Sequence, residues 1–306
     1  MQPAKAEIGV RRSALLEPLE ALYREHGRSG VVEDPVECVR VYPDPADREI
    51  AGFIAAGLAF GRVAGIMTSV RAALAPMGAS PAAFVRRFEF PRDAGPFLPF
   101  VHRWVRGRDL VALLVILRHM LATAGSVEQF FLDGDDASAP DVGAALESLC
   151  ARARRIDLGE VYDRGAHRPG VHAFFPLPSA GSACKRLNLF LRWMARHDGI
   201  DLGAWTRVAP ARLIIPLDVH VVRVGRCLGL TGYASPGWRM AASITASLRA
   251  IDPLDPVKYD FALCHLGMQG LCGFRTAAAG SRCPLRGVCR PRARRRRPSR
   301  RPSGPR

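Results

Sequence analysis

The chain has 306 residues, 48% of them hydrophobic, and a formal net charge of +16. That length allows one large or two modest domains with a real core, and its longest apolar runs, 53-FIAAGLAF-60 and 110-LVALLVIL-117, are too short to cross a bilayer. The N-terminus lacks the apolar stretch of a secretory signal, so the protein is expected in the cytoplasm, at the nucleoid, without a membrane partner.

In chain order the pattern is almost wholly helical. The segment 13-SALLEPLEALYREHG-27 has a serine start and a glycine stop. Residues 45–78 predict one or two helices entered at Pro45 and Asp47. Further helices are expected over 108–125, 126–134 and 139–153. The run 154–178, broken by glycine and proline, reads as loop. Helices follow within 181–194 and from Asp218 to Leu228, then over 236–252 and 255–270, the last with Asp255 as cap and Pro256 in its first position. No alternating strand pattern of useful length occurs. Neither does a phosphate-binding loop or a dinucleotide fingerprint, so no nucleotide cofactor is expected.

The tail 290-RPRARRRRPSRRPSGPR-306 holds nine arginines and no acid. It cannot bury apolar area and reads as a disordered basic unit after a helical region 1–289. Such a tail binds polyanions by releasing counterions, or merely keeps the chain soluble. Cys38, Cys150, Cys184 and Cys227 are scattered in apolar contexts and read as small core residues. Cys264, Cys272, Cys283 and Cys289 crowd one end, which in a cytosolic chain suggests metal before disulfide.

Two stretches carry the chemistry. In 181-GSACKRLNLFLRWM-194, small residues lead into a helix with Leu187, Phe190, Leu191 and Met194 on one face. Lys185, Asn188, Arg192 and Arg196 fall on another. Gly181 and Ser182 at its start suit a phosphate held on helix N–H groups, with Ser182 as cap, although a solvated basic face has the same pattern. In 216-PLDVHVVRVGRCLGL-230, Asp218 stands at a helix start with Gly229 as stop.

Together these stretches resemble the helix-hairpin-helix DNA glycosylase superfamily, the group of endonuclease III. Gly181-Ser182-Ala183-Cys184-Lys185 is similar to its Gly-x-Gly-x-Lys hairpin, with alanine replacing the second glycine. Phe190-Leu191-Arg192 resembles a triplet of the archaeal 8-oxoguanine glycosylases, and Leu217-Asp218-Val219-His220 with Arg223 resembles the later Val-Asp-x-His helix start. The same wording, with 255-DPVKYDFAL-263, is similar to a widespread bacterial family of conserved hypothetical proteins.

The resemblance implies an all-α, two-lobed glycosylase-like fold with its helix-hairpin-helix core at about 177–230, acting as a monomer on duplex DNA carrying a lesion. It implies Lys185 and Asp218 as catalytic residues and Gly181, Ser182, Arg186, Arg192, His220 and Arg223 as DNA contacts. Residues 261–289 are similar to the four-cysteine loop of endonuclease III-like enzymes, with Cys272, Cys283 and Cys289 at three ligand positions. The remaining ligand is missing, and Cys264 is a candidate substitute. An iron–sulfur cluster, a zinc ion and a metal-free remnant all stay open.

The implied chemistry is base excision. An ionised Asp218 would stabilise oxocarbenium-like charge on the sugar, and Lys185 would attack the anomeric carbon and form a Schiff base. Strand cleavage by β-elimination would follow. The damaged base, an oxidised purine on this reading, must leave the stack. Trp104, Phe190, Trp193 and Trp205 are aromatic candidates for contact or for core packing, 100-FVHRWVRGRDL-110 suits either nucleic-acid contact or an exposed loop, and the resemblance implies Gly61-Arg62 near a probe loop. Two other readings remain: a non-catalytic protein recognising damaged or unusual DNA or RNA, and a basic helical scaffold. Lys185 and Asp218 stand 33 positions apart. Segment 195–212 must therefore fold back if the two residues are to meet.

Overall fold

The computed structural model describes residues 5–26, 33–162, 169–271 and 282–289. The expected tail 290–306 and Cys272 lie outside the described residues. The architecture is mostly helical. The helices are α1 (Lys5–His26), α2 (Glu37–Arg40), α3 (Pro45–Gly57), α4 (Val63–Leu74), α5 (Pro81–Arg87), α6 (Gly107–Ala124), α7 (Val127–Leu132), α8 (Gly143–Arg155), α9 (Pro169–Phe174), α10 (Lys185–Ala195), α11 (Val219–Leu228), α12 (Trp238–Arg249) and α13 (Asp260–Met268). The strands β1 (Val101–His102) and β2 (Val105–Arg106) form one antiparallel hairpin.

Helix α3 is the centre of the core. Asp44 caps it by accepting from the Ala46 N–H, and Pro45 fills the first turn, where a missing N–H costs nothing. Every residue from Glu49 to Gly57 is buried. Its main partner is α10, and the two approach closely because Gly52 carries no side chain. A Cβ there would stand 2.9 Å from the Met194 methyl carbon. Around this pair, α5 packs on α3, α6 on α5, α7 and α9 on α6, and α8 on α7, while α13 packs on α11 and α1.

Two buried carboxylates tie distant parts to α3. Asp47 accepts from the Ser80 hydroxyl and the Ala82 N–H, fixing the start of α5. Glu49 accepts from the N–H groups of Val127 and Glu128 at 2.8 and 2.6 Å and from the Trp205 indole at 2.9 Å. It thereby satisfies the start of α7 and anchors segment 195–212. That segment folds back onto the end of α10: the Trp193 carbonyl accepts from Leu202 and Gly203, and the Met194 carbonyl from Trp205.

Several expectations change in detail. The 45–78 region is two helices broken at Leu58–Arg62, then a short 3-10 turn. The expected loop 154–178 contains α9, and residues 101–106 form a hairpin too short to leave an alternating pattern. Helix α13 starts at Asp260 rather than behind an Asp255 cap. Residues 256–259 form turns, and Asp255 faces Arg196 instead.

Candidate functional site

The turn before α10 is built by backbone conformation more than by side-chain capping. Gly181 has φ +81°, and Cys184, the residue before the helix, has φ +46°. Ser182 does not cap α10. Its hydroxyl accepts from the Cys184 N–H at 3.2 Å, one residue too early to reach the helix donors. The Gly181 carbonyl accepts from Trp238 at the start of α12, so the turn is braced from outside. A Cβ on Gly237 would stand 2.7 Å from that carbonyl, which explains glycine at the contact.

Lys185 is the first residue of α10, and its Nζ donates to the Ala59 carbonyl just beyond α3 at 3.1 Å. Asp218 caps α11: its Oδ1 accepts from the N–H groups of His220 and Val221 at 2.9 and 2.7 Å. The other oxygen, Oδ2, accepts from the Cys264 thiol at 3.0 Å. Lys185 and Asp218 line one cavity of about 630 Å³, between the end of α3, the start of α10, the start of α11 and one face of α13. Segment 195–212 therefore does fold back and returns Asp218 to the Lys185 cleft.

Asp260, Cys264 and Met268, spaced four apart on α13, all face this cleft. Asp260 and Cys264 have roles there that their sequence contexts, a helix start and a cysteine cluster, do not suggest. The i, i+4, i+8 spacing was the available signal. The Cys264 thiol is held protonated: burial raises its pKa, with Asp218 and Asp260 adding to the effect and Lys185 opposing it. Three buried polar atoms at the cleft have no hydrogen-bond partner: Asp260 Oδ1, Arg192 Nη2 and His220 Nδ1. They offer donor and acceptor positions to a polar ligand.

The expected DNA contacts divide. Gly181 and Arg223 are exposed and Ser182 and His220 partly so, with His220 and Arg223 lining the cleft. His220 packs over Gly267 of α13, where a Cβ would meet its own Cβ at 2.6 Å. Arg186 and Arg192 turn inward instead. Arg186 donates to the carbonyls of Gly57 and Ala173, both at 2.5 Å, and lies over Phe60, Trp104 and Phe174. Desolvation pushes its pKa down to about 10. It answers orphan carbonyls at helix ends, which makes it a brace between α3 and α9.

Arg192, 3% exposed, is paired with Asp201 and Asp260. Arg196 is paired with Asp198, Asp201 and Asp255. Two guanidiniums thus face four carboxylates. Burial pushes Asp201 up to about 6 and Asp260 up to about 7, against the pull of the arginines. Asp198, despite burial, is held at about 2 by Arg196 and by the Ile200 and Asp201 N–H groups. This network welds α10, segment 195–212 and α13 together behind the cleft, so the basic stripe of α10 is largely structural. Phe190, Trp193 and Trp205 are likewise buried in the core.

The expected metal site falls partly outside the described residues, because Cys272 is one of its four candidate ligands. Cys264 points into the cleft onto Asp218. Cys283 is buried and Cys289 partly buried within 282–289. Among the described residues no group of three or more His, Cys, Asp or Glu is placed to hold a metal ion. A larger cavity, about 780 Å³, is lined by Arg118, His119, Arg152 and Arg155. None of the candidate residues lines it, so the chemistry of the lining rather than volume selects the smaller cleft.

The observations define a mostly helical protein in which an amine, a helix-capping carboxylate and a thiol share one cleft. No helix among the described residues is long and apolar enough to cross a membrane. The chain belongs to the family described as protein of unknown function (DUF2400), whose model matches residues 34–269. That span includes Lys185, Asp218, Asp260 and Cys264. No curated protein and no solved structure matches the chain.

Proposed function

We propose that this chain is a DNA-binding base-excision enzyme, a lysine-dependent glycosylase with lyase activity at the resulting abasic site, acting on a damaged base such as an oxidised purine. The observation that carries this reading is the shared cleft of Lys185 and Asp218. Its volume lies in the range that holds small ligands, and its unpartnered polar atoms suit a heteroaromatic base. Two separate sets of packed helices, α5 to α9 and α1 with α11 and α13, are what a two-lobed glycosylase-like arrangement would need.

In this mechanism the Lys185 amine, freed from Ala59 and deprotonated, attacks C1′ of the sugar. The N-glycosidic electron pair leaves with the base, which takes up a proton. The Asp218 carboxylate stabilises the positive charge that develops on the sugar. Ring opening gives a Schiff base between Lys185 and C1′. Loss of a proton from C2′ then expels the 3′ phosphate, and hydrolysis frees the lysine.

The test is borohydride trapping with duplexes carrying a panel of damaged bases. The expected result is a covalent adduct that Lys185→Ala abolishes. An adduct of undiminished yield in Lys185→Ala would remove Lys185 from its role. A second reading, a non-catalytic reader of damaged or unusual DNA or RNA, is favoured by one observation: the amine and both Asp218 oxygens already have protein partners. It predicts salt-sensitive binding that survives Asp218→Asn, with no adduct on any lesion.

A further inference from the structure

The hairpin 101–106 packs through His102 and Trp104 on Phe60, a residue of the cleft lining, and is held firmly for six residues. Its register pairs Val101 with Arg106 and His102 with Val105. The buried His102 is fixed through both ring nitrogens, Nδ1 to the Ser69 hydroxyl at 2.8 Å and Nε2 to the Phe60 carbonyl at 3.1 Å. Arg103 at the turn has φ +53°, and its guanidinium lies against Gly61, whose own φ is +119°. The result is a rigid mount for Trp104.

Trp104 is 42% exposed, although large aromatic side chains are usually packed away. It stacks on Phe60 with ring centroids 5.3 Å apart and planes at 15°. Phe60 lines the cleft. The Arg186 guanidinium lies 5.0 Å from the Phe60 ring centroid. Trp104 therefore extends an aromatic stack from the cleft lip to the surface. Arg62, Arg103 and Arg106 around it are exposed, and none of the three is in an ion pair with a described carboxylate.

We propose that this hairpin is a nucleic-acid contact in which Trp104 stacks on an unpaired base of the DNA strand that enters the cleft. The charge complementarity of the three arginines to the backbone selects a polyanionic strand. The exposed stacked ring selects one with bases turned outward, because stacking accepts any base. This inference rests on the DNA-binding reading above, yet it requires no lesion and no chemistry.

The experiment uses the full chain and two single-stranded DNA oligonucleotides of equal length and charge. One carries undamaged bases, and the other carries tetrahydrofuran abasic analogues, which cannot form a Schiff base. Affinities are measured by anisotropy at one fixed salt concentration, so that contacts to the backbone alone cancel in the comparison. The chain should prefer the base-containing strand by about tenfold, in line with base–aromatic stacking. Trp104→Ala should erase most of that preference and Trp104→Phe should keep much of it. Tryptophan emission should be quenched on saturation in the natural chain and far less in Trp104→Phe. A preference unchanged in Trp104→Ala, or emission unaffected by the base-containing strand, overturns the proposal. If Trp104→Ala fails to fold, the emission comparison decides alone. Missing borohydride adducts would defeat the enzyme reading and leave this contact standing. Intact adducts with no Trp104 effect would do the reverse.

Discussion

The Cys264 thiol donates to Oδ2 of Asp218 at 3.0 Å, while Oδ1 of the same carboxylate caps α11. Asp218 is therefore oriented through both oxygens, once by backbone and once by a side chain from α13. In the proposed mechanism, a carboxylate held this way would keep its position beside the sugar, which is the condition for electrostatic stabilisation without reorganisation.

Asp218→Asn separates the two duties. Asparagine caps helices about as well as aspartate, so thermal stability should change little. Loss of the charge should lower adduct formation by about a hundredfold or more. Asp218→Ala should lose the adduct and also about 1 kcal/mol of stability. Thermal melts beside trapping yields check both.

The ion-pair network behind the cleft predicts a pH dependence of stability. The carboxyls of Asp201 and Asp260 are raised above the unfolded value of 3.8, to about 6 and about 7. The folded state therefore binds more protons than the unfolded chain between these limits. The stabilising contribution is complete below the unfolded pKa and is lost as pH rises through the folded values. The contribution of these two groups to Tm should fall between about pH 4 and pH 7. Asp260→Asn should flatten that part of the profile relative to the natural chain. A profile with the same slope in both proteins would exclude Asp260 as its source.

Glu49 is 4% exposed and accepts from three donors, two at the start of α7 and one on Trp205. Glu49→Ala strands all three donors, at about 1–3 kcal/mol for each one left unsatisfied. A loss of at least about 3 kcal/mol is expected in urea unfolding, by the same reasoning. Glu49→Gln keeps one accepting oxygen and should cost less.

Gly61→Ala tests the base of the hairpin. At φ +119° a side chain is strained whatever the space, and the new Cβ would stand 2.7 Å from Arg103 Nε. The expected cost is about 1–2 kcal/mol. The Arg103 guanidinium should swing aside, and affinity for a single strand should weaken with it.

Much of the fold was legible from local chemistry. Local signals placed the start of α3 and the extents of α6, α11 and α12 to within a few residues, because such signals act within one turn. Asp218 reads as a cap in sequence and is one. The meeting of Lys185 and Asp218 was legible only through motif resemblance, since it depends on how segment 195–212 packs against Glu49. Misreadings came where a charge has a distant partner. Arg192 looks like a surface cation by helical spacing and Arg186 like a DNA contact by resemblance, but their partners lie on other elements: Asp201 and Asp260 for the first, Gly57 and Ala173 for the second. Spacing along one helix carries no record of a carboxylate 68 positions away.

The embrace of α3 by α10 has a consequence for how the protein is made. Ala59 and Lys185 are 126 residues apart. At roughly 5–20 residues per second, a ribosome needs on the order of ten seconds to deliver α10 after α3 has been synthesised. For that interval the face of α3 that packs on α10 lacks its native cover, while α2, α4 and α5 already pack on the rest of the helix. That face is then exposed to chaperones and to misassociation, and slowed translation between these two helices should lower the soluble yield.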